Sequence, residues 1–204
     1  PYKKIYSLHK NDCRKYGLTS LPLFFGDEFR VNSESEKNID VFFSGWEHSN
    51  RKKFIEKILP LLKAYKMKVY LHLFTGRWKT MKDKIKCCDF RKEPEYIKYT
   101  TLSLQYNATL TRASKILIDL PHSTQRGLSM RTMEALAAKA KLITTNSAIA
   151  GYDFYDPDNI LIVDQERLQI DSAFLASPYK EVPSDIVEKY SLLNWLKVIV
   201  GENR

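Results

Sequence analysis

Arg131 and Glu134 lie three residues apart in the stretch QRGLSMRTME (residues 125–134), close behind Gly127. On a helix, residues at that spacing share a face. The apolar positions Met133, Leu136, Ala137 and Ala140 occupy a different stripe, at i, i+3, i+4 and i+7. Gly127 would let backbone approach a ligand closely, and free N–H groups at Gly127, Leu128 and Ser129 would form an anion site where the helix opens. A cation beside phosphates and a carboxylate one turn on, accepting from two ribose hydroxyls, would together hold a nucleotide diphosphate. The same spacing also suits a solvated Arg–Glu pair on a surface helix.

The elements that must position these residues are legible around them. Residues 116–120 are a short apolar run closed by Pro121, as expected of a buried parallel strand. A helix opening at Gly127 and a second strand over 141–145 complete a βαβ unit, whose crossover is almost always right-handed. In such sheets ligands sit beyond the carboxyl ends of the strands, so the loop 121–127 and the first helical turn are the expected site.

The block QRGLSMRTMEAL…KLITTN…YDFYDPDNILIVD resembles the donor-binding half of bacterial GT-B glycosyltransferases, those that build lipopolysaccharide, capsule or exopolysaccharide. The resemblance runs more weakly along nearly the whole chain. It implies an α/β fold: a Rossmann-like parallel sheet of about five or six strands flanked by helices, with C-terminal helices. It implies binding of a UDP- or GDP-sugar, with Glu134 on the ribose. Many retaining members carry a second glutamate eight residues earlier. Arg126 stands there in this chain, so the paired-glutamate motif is absent. Arg131 and the helix N-terminus would stabilise the departing diphosphate, and His122, Gln125 and Arg126 would line the sugar side. Gly45 and Arg51, after the first strand, join the binding set. Cations and helix dipoles carrying that charge would require no divalent metal and no cofactor beyond the donor substrate. The acceptor would be a glycan or a lipid-linked glycan at the inner face of the plasma membrane.

Composition is compatible with this. The 204 residues are 44% apolar and 12% aromatic, enough for a substantial core. The net charge of +9 suits an anionic partner such as a nucleotide, a phospholipid surface or nucleic acid. Three cysteines, two of them adjacent at 87 and 88, form neither a metal pattern nor a disulfide framework, which points to a reducing cytoplasm. No glycines fall two apart, so the dinucleotide fingerprint is missing. There is no G-K-[ST] phosphate loop, no G-x-S-x-G elbow, and no metal spacing among His9, His48, His72 and His122. Pro1 and the residues after it read as the middle of a longer protein. Residues 1–37 read as the end of a preceding acceptor-side domain plus linker, and 38–204 as the donor-binding domain. Exposed apolar faces of such a fragment would favour self-association.

Along the chain, residues 38–45 read as the first strand, followed by a loop over 45–48. A helix starts near Ser49 or Asn50, with Phe54, Ile55, Ile58, Leu61, Leu62 and Tyr65 inward and Pro60 kinking it or shifting its start. Arg51, Lys52 and Lys53 oppose the dipole of its first turn; a bound diphosphate would offset that, and so would solvent. His72 alternates within the strand 68–74 as a structural histidine. The basic stretch 75–92 reads either as a solvated irregular loop or as a surface for anionic lipid or nucleic acid, with a short strand over 85–89. Its aromatics are not interleaved as a base-stacking platform, which disfavours nucleic acid. Residues 100–114 read as a helix with Leu102, Tyr106, Leu110 and Ala113 inward. Tyr152, Phe154 and Tyr155 suit either closure over a ligand or core packing. After a last strand in 159–164 come two short helices, the first capped by Ser184. The second turns Leu192, Trp195, Leu196 and Ile199 to one side, which would cover the sheet.

Overall fold

The computed structural model describes residues 4–32, 35–48, 50–87, 92–122, 125 and 127–201, without the side chains of Asp83, Lys84 and Cys87. Eight strands and eight α-helices follow in chain order among them. They are β1 (Tyr6–Ser7), α1 (Lys10–Tyr16), β2 (Thr19–Ser20), β3 (Ile39–Trp46), α2 (Arg51–Ala64), β4 (Val69–Phe74), α3 (Arg77–Cys87) and β5 (Ile97–Lys98). Then come α4 (Leu104–Arg112), β6 (Ser114–Asp119), α5 (Met130–Ala137), β7 (Lys141–Thr144), β8 (Ile160–Ile162), α6 (Ser172–Ala176), α7 (Ser184–Glu188) and α8 (Leu192–Val200).

Strands β3 to β8 form one parallel sheet in the order β5-β4-β3-β6-β7-β8. This is the expected Rossmann-like architecture, with the strand order reversing between β3 and β6. Successive side chains of a strand face opposite ways, and the core divides accordingly. Phe42, Leu117 and Leu142 pack with Ala108 and Leu110 of α4 and with Met133 and Leu136 of α5. Val41, Phe43, Ile116, Ile118 and Ile143 pack with Phe54, Ile55, Ile58 and Leu62 of α2 and with Phe174 of α6. Both faces are covered, so the inner strands read as continuous apolar runs.

Several expectations needed correction. The basic stretch is not an irregular loop: residues 77–87 form α3, and the short strand lies at Ile97–Lys98, beyond the expected 85–89. Of that expected strand, 85–87 are helical and 88–89 fall outside the described residues. Strand β3 continues through Gly45 and Trp46. Helix α2 starts at Arg51 and runs unbroken past Pro60; Leu61 and Tyr65 face solvent. Tyr106 is also exposed, whereas Ala108 and Thr111 are buried. Three helices close the chain, and Ser184 is the first residue of α7, with Pro183 at its cap.

The segment before β3 is tied to the far end of the chain. Gly17 ends α1 at φ 65, a left-handed position suited to glycine, and lets β2 return parallel to β1. Phe25, fully buried, donates its N–H to Tyr190 O at 2.9 Å and accepts from Leu192 N at 3.0 Å. Trp195 Nε1 donates to Pro22 O at 3.0 Å, and its ring lies 4.7 Å from that of Phe24. Thus α8 packs on residues 22–25 rather than over the sheet, and Leu193, Leu196, Ile199 and Val200 stay exposed. Lys37, two residues before β3, donates to Ser114 O at 2.7 Å and Ala138 O at 2.6 Å, fixing this segment at the amino end of the sheet.

Candidate active site at the carboxyl edge of the sheet

The carboxyl ends of β3 and β6 meet where the strand order reverses, the place where sheets of this class bind ligands. Arg51, from the first turn of α2, laces this point. Its Nε donates to Leu120 O at 2.8 Å and its Nη1 to Trp46 O at 3.0 Å. Gly45 makes room for it, since a Cβ there would lie 2.9 Å from Arg51 Nη1. Burial lowers the Arg51 pKa and the nearby Arg131 adds to that, while Asp119 opposes it.

Asp119, the last residue of β6, is the polar hub of the edge and was not singled out in the sequence. The only hint was an acid ending an apolar strand. Its carboxylate accepts from Ser129 Oγ at 2.7 Å and Thr144 Oγ1 at 3.1 Å, joining β6, α5 and β7. Burial pushes its pKa up; the two hydroxyl bonds, Arg131 and Arg51 pull the other way.

Helix α5 opens at Met130, not at Gly127. Ser129 caps it, its side chain accepting from Thr132 N. Gly127 and Leu128 therefore belong to the approach to the helix rather than to its first turn. At Gly127 a Cβ would meet Leu8 Cδ1 at 2.3 Å and His9 Nδ1 at 3.1 Å, so the N-terminal segment packs there. Leu128 is core.

Arg131 and Glu134 do share a face, but it is not a solvated one. Their side chains are 14% and 12% exposed, with Arg131 Nη1 2.9 Å from Glu134 Oε2. Arg131 Nη2 donates to Ser44 Oγ at 2.5 Å, and Nη1 reaches Thr111 Oγ1 at 3.3 Å. The Arg–Glu contact is a charge pair without hydrogen-bond alignment, which leaves the buried Oε2 with no hydrogen bond. Burial raises the Glu134 pKa and Arg131 lowers it, with burial the larger effect. Ser44 in turn donates to Asn107 Oδ1 at 2.8 Å. None of Ser44, Asn107 and Thr111 was apparent from spacing.

On the other side of β6 an open cavity of about 630 Å³ extends past the ends of β7 and β8. His122 and Gln125 line it, together with Asn146 and Asp164. Gln125 Nε2 is anchored to Leu128 O at 3.1 Å. His122 lies against His48, ring centroids 5.0 Å apart. Burial lowers the His48 pKa, helped by Arg51, His122 and Lys79. Arg126 lies outside the described residues. His72 sits in β4 with Nε2 2.8 Å from Thr100 O, a structural histidine. Of the loop aromatics, Phe154 is buried and meets Tyr190 edge to face at 5.0 Å, with Tyr152 and Tyr155 against the same core, so this cluster packs the fold.

No family model and no curated protein matches this sequence. Solved structures do match it. AviGT4, a glycosyltransferase involved in avilamycin A biosynthesis, aligns over 96% of this chain and 61% of its own with a TM-score of 0.62 and 11% identity. A UDP-forming α,α-trehalose-phosphate synthase from Burkholderia xenovorans covers 90% of this chain and 51% of its own at 0.52 and 12% identity. The N-terminal domain of a Candida albicans trehalose-6-phosphate phosphatase covers 91% and 49% at 0.50 and 12% identity. The chain thus spans less than two-thirds of each of these proteins. At such identities the likeness is one of fold: the six-stranded parallel sheet flanked by helices is a Rossmann-like arrangement shared with these proteins.

Proposed function

We propose that this chain is the donor-binding half of a glycosyltransferase, taking a UDP- or GDP-sugar for transfer to a cell-surface glycan or its lipid-linked precursor. The observation that carries the reading is the buried Arg131–Glu134 pair at the strand-order reversal, beside an open cavity lined by His122 and Gln125. The fold shared with AviGT4 supports it. Glu134, held by Arg131, accepts from the ribose hydroxyls. Arg131 exchanges Ser44 for a phosphate oxygen and, with the capped start of α5, stabilises charge on the leaving diphosphate. His122 and Gln125 face the sugar. Arg51 and Gly45 act on the same edge through the backbone, since the Arg51 donors hold Trp46 O and Leu120 O. Cations and backbone dipoles carry the charge, and no metal is required.

Calorimetric titration with UDP, GDP, uridine and an oligonucleotide tests this on the parent and on Glu134→Gln and Arg131→Lys. Loss of a charge-assisted bond corresponds to roughly tenfold to a hundredfold weaker binding. Glu134→Gln should weaken uridine and UDP alike, whereas Arg131→Lys should weaken UDP and spare uridine. Unchanged affinities in both variants, or tighter binding of the oligonucleotide than of either nucleotide, would overturn the assignment.

A further inference from the structure

Helix α3 lies at the surface of the protein. It has 11 residues, Arg77–Cys87, and no described residue on it is buried. Trp78 is 75% exposed, Ile85 59% and Met81 47%. At roughly 100° per residue these three fall within about 60° of one another, a single apolar stripe along a helix about 16 Å long. Lys82 and Lys86 are exposed and follow the stripe on one flank, while Arg77 lies on the other. Thr80, half-buried, marks the opposite side, toward the protein. The N-terminal turn is fixed in place: Lys79 Nζ bonds Glu47 O at 3.1 Å and pairs with its carboxylate, and Arg77 stacks over Tyr99 at 5.5 Å.

We propose that α3 is an interfacial helix that docks on an anionic lipid bilayer, burying Trp78, Met81 and Ile85 among the headgroups while Lys82 and Lys86 contact lipid phosphates. Charge decides the occupant. An apolar stripe bordered by cations on an otherwise polar helix matches the pattern of helices lying in the membrane interface, with an aromatic anchor and lysine flanks. A core helix would turn that stripe inward, and a site for single-stranded nucleic acid would interleave aromatics and cations along one groove. No helix among the described residues is long and apolar enough to cross a membrane, so the contact is made at the surface. Because α3 follows β4 and its first turn grips Glu47, docking sets the carboxyl edge of the sheet next to the bilayer. This inference stands apart from nucleotide binding.

Co-sedimentation of the 204-residue chain with vesicles tests it, using phosphatidylcholine alone and a phosphatidylcholine–phosphatidylserine mixture, each at low and raised salt. The parent should partition onto the anionic vesicles and be released by salt. The double variant K82Q/K86Q should partition about thirtyfold more weakly, and W78S/I85S should lose binding as well. All four side chains are exposed, so both variants should keep the parent's thermal midpoint. Equal binding to neutral and anionic vesicles would overturn the proposal, as would retention by W78S/I85S. So would an oligonucleotide that binds the parent more tightly than vesicles do and is lost in K82Q/K86Q.

Discussion

Replacing Glu134 by Ala tests the physical argument of the site most directly. The change removes one member of a charge pair whose side chains are 14% and 12% exposed, and leaves Arg131 nearly enclosed. Breaking a fully buried pair this way costs about 3–5 kcal/mol. Arg131 keeps its donors on Ser44 and Thr111, and both side chains retain some solvent, so the expected loss is about 2–3 kcal/mol. For a chain of this length that corresponds to a fall in Tm of roughly 5–10 °C. The double variant Arg131→Met/Glu134→Met removes both charges and fills the volume, and should lie closer to the parent than either single variant. Glu134→Gln adds a pH test. Burial raises the folded-state pKa of Glu134, so the protonated form favours folding below the ordinary glutamate range, and that advantage fades as pH rises through the shifted value. Glutamine does not ionise, so E134Q should lack this pH dependence. Differential scanning calorimetry from acid to neutral pH reads all of this. Additive single and double variants, or E134A within a degree of the parent, would refute a coupled buried pair.

Two further outcomes follow from single side chains. Burial holds Lys37 at a pKa of about 8, below its unfolded value, so the parent should gain stability as pH rises from about 8 toward 10 and lose it again as pH falls. Lys37→Met should flatten that slope in denaturant titrations. Gly127→Ala puts a Cβ against Leu8 and His9 without backbone strain, because the φ of Gly127 is not positive. The flexible Leu8 side chain can move, so the expected result is faster proteolytic cleavage within residues 4–20 at an almost unchanged Tm.

What the sequence carried, and what it did not, divides along physical lines. The strands around residues 39–43, 69–74, 116–118 and 142–144 were legible because both sheet faces are covered and their apolar runs are continuous. Helix α5 showed through its Met133–Leu136–Ala140 stripe. Helix α3 was missed because its apolar stripe faces outward and lysines dominate its composition, so its local pattern resembles a solvated loop. Strand β5 is two residues long, below what periodicity can register. The Arg131–Glu134 spacing fixed a shared face but not its burial, which depends on Ser44, Asn107 and Thr111 arriving from β3 and α4. The atoms closest to Gly127 belong to Leu8 and His9, more than a hundred residues earlier, a contact no local window contains.

The clasp between Phe25 and residues 190–192 governs the order in which this chain can fold. Its two backbone bonds, the Trp195–Pro22 bond and the Tyr6 hydroxyl on Val198 O join residues separated by more than 160 positions. During synthesis the strands β3 to β8 can pair among themselves as each emerges, but the backbone bonds of Phe25 wait for residues 190–192. Contacts so distant along the chain form late, after the loop-closing cost of the whole sheet has been met. Until then Phe25 and its neighbours Leu23 and Phe24 remain open to water and to other chains, so the growing polypeptide is most prone to aggregate in the interval between completing β8 and releasing α8.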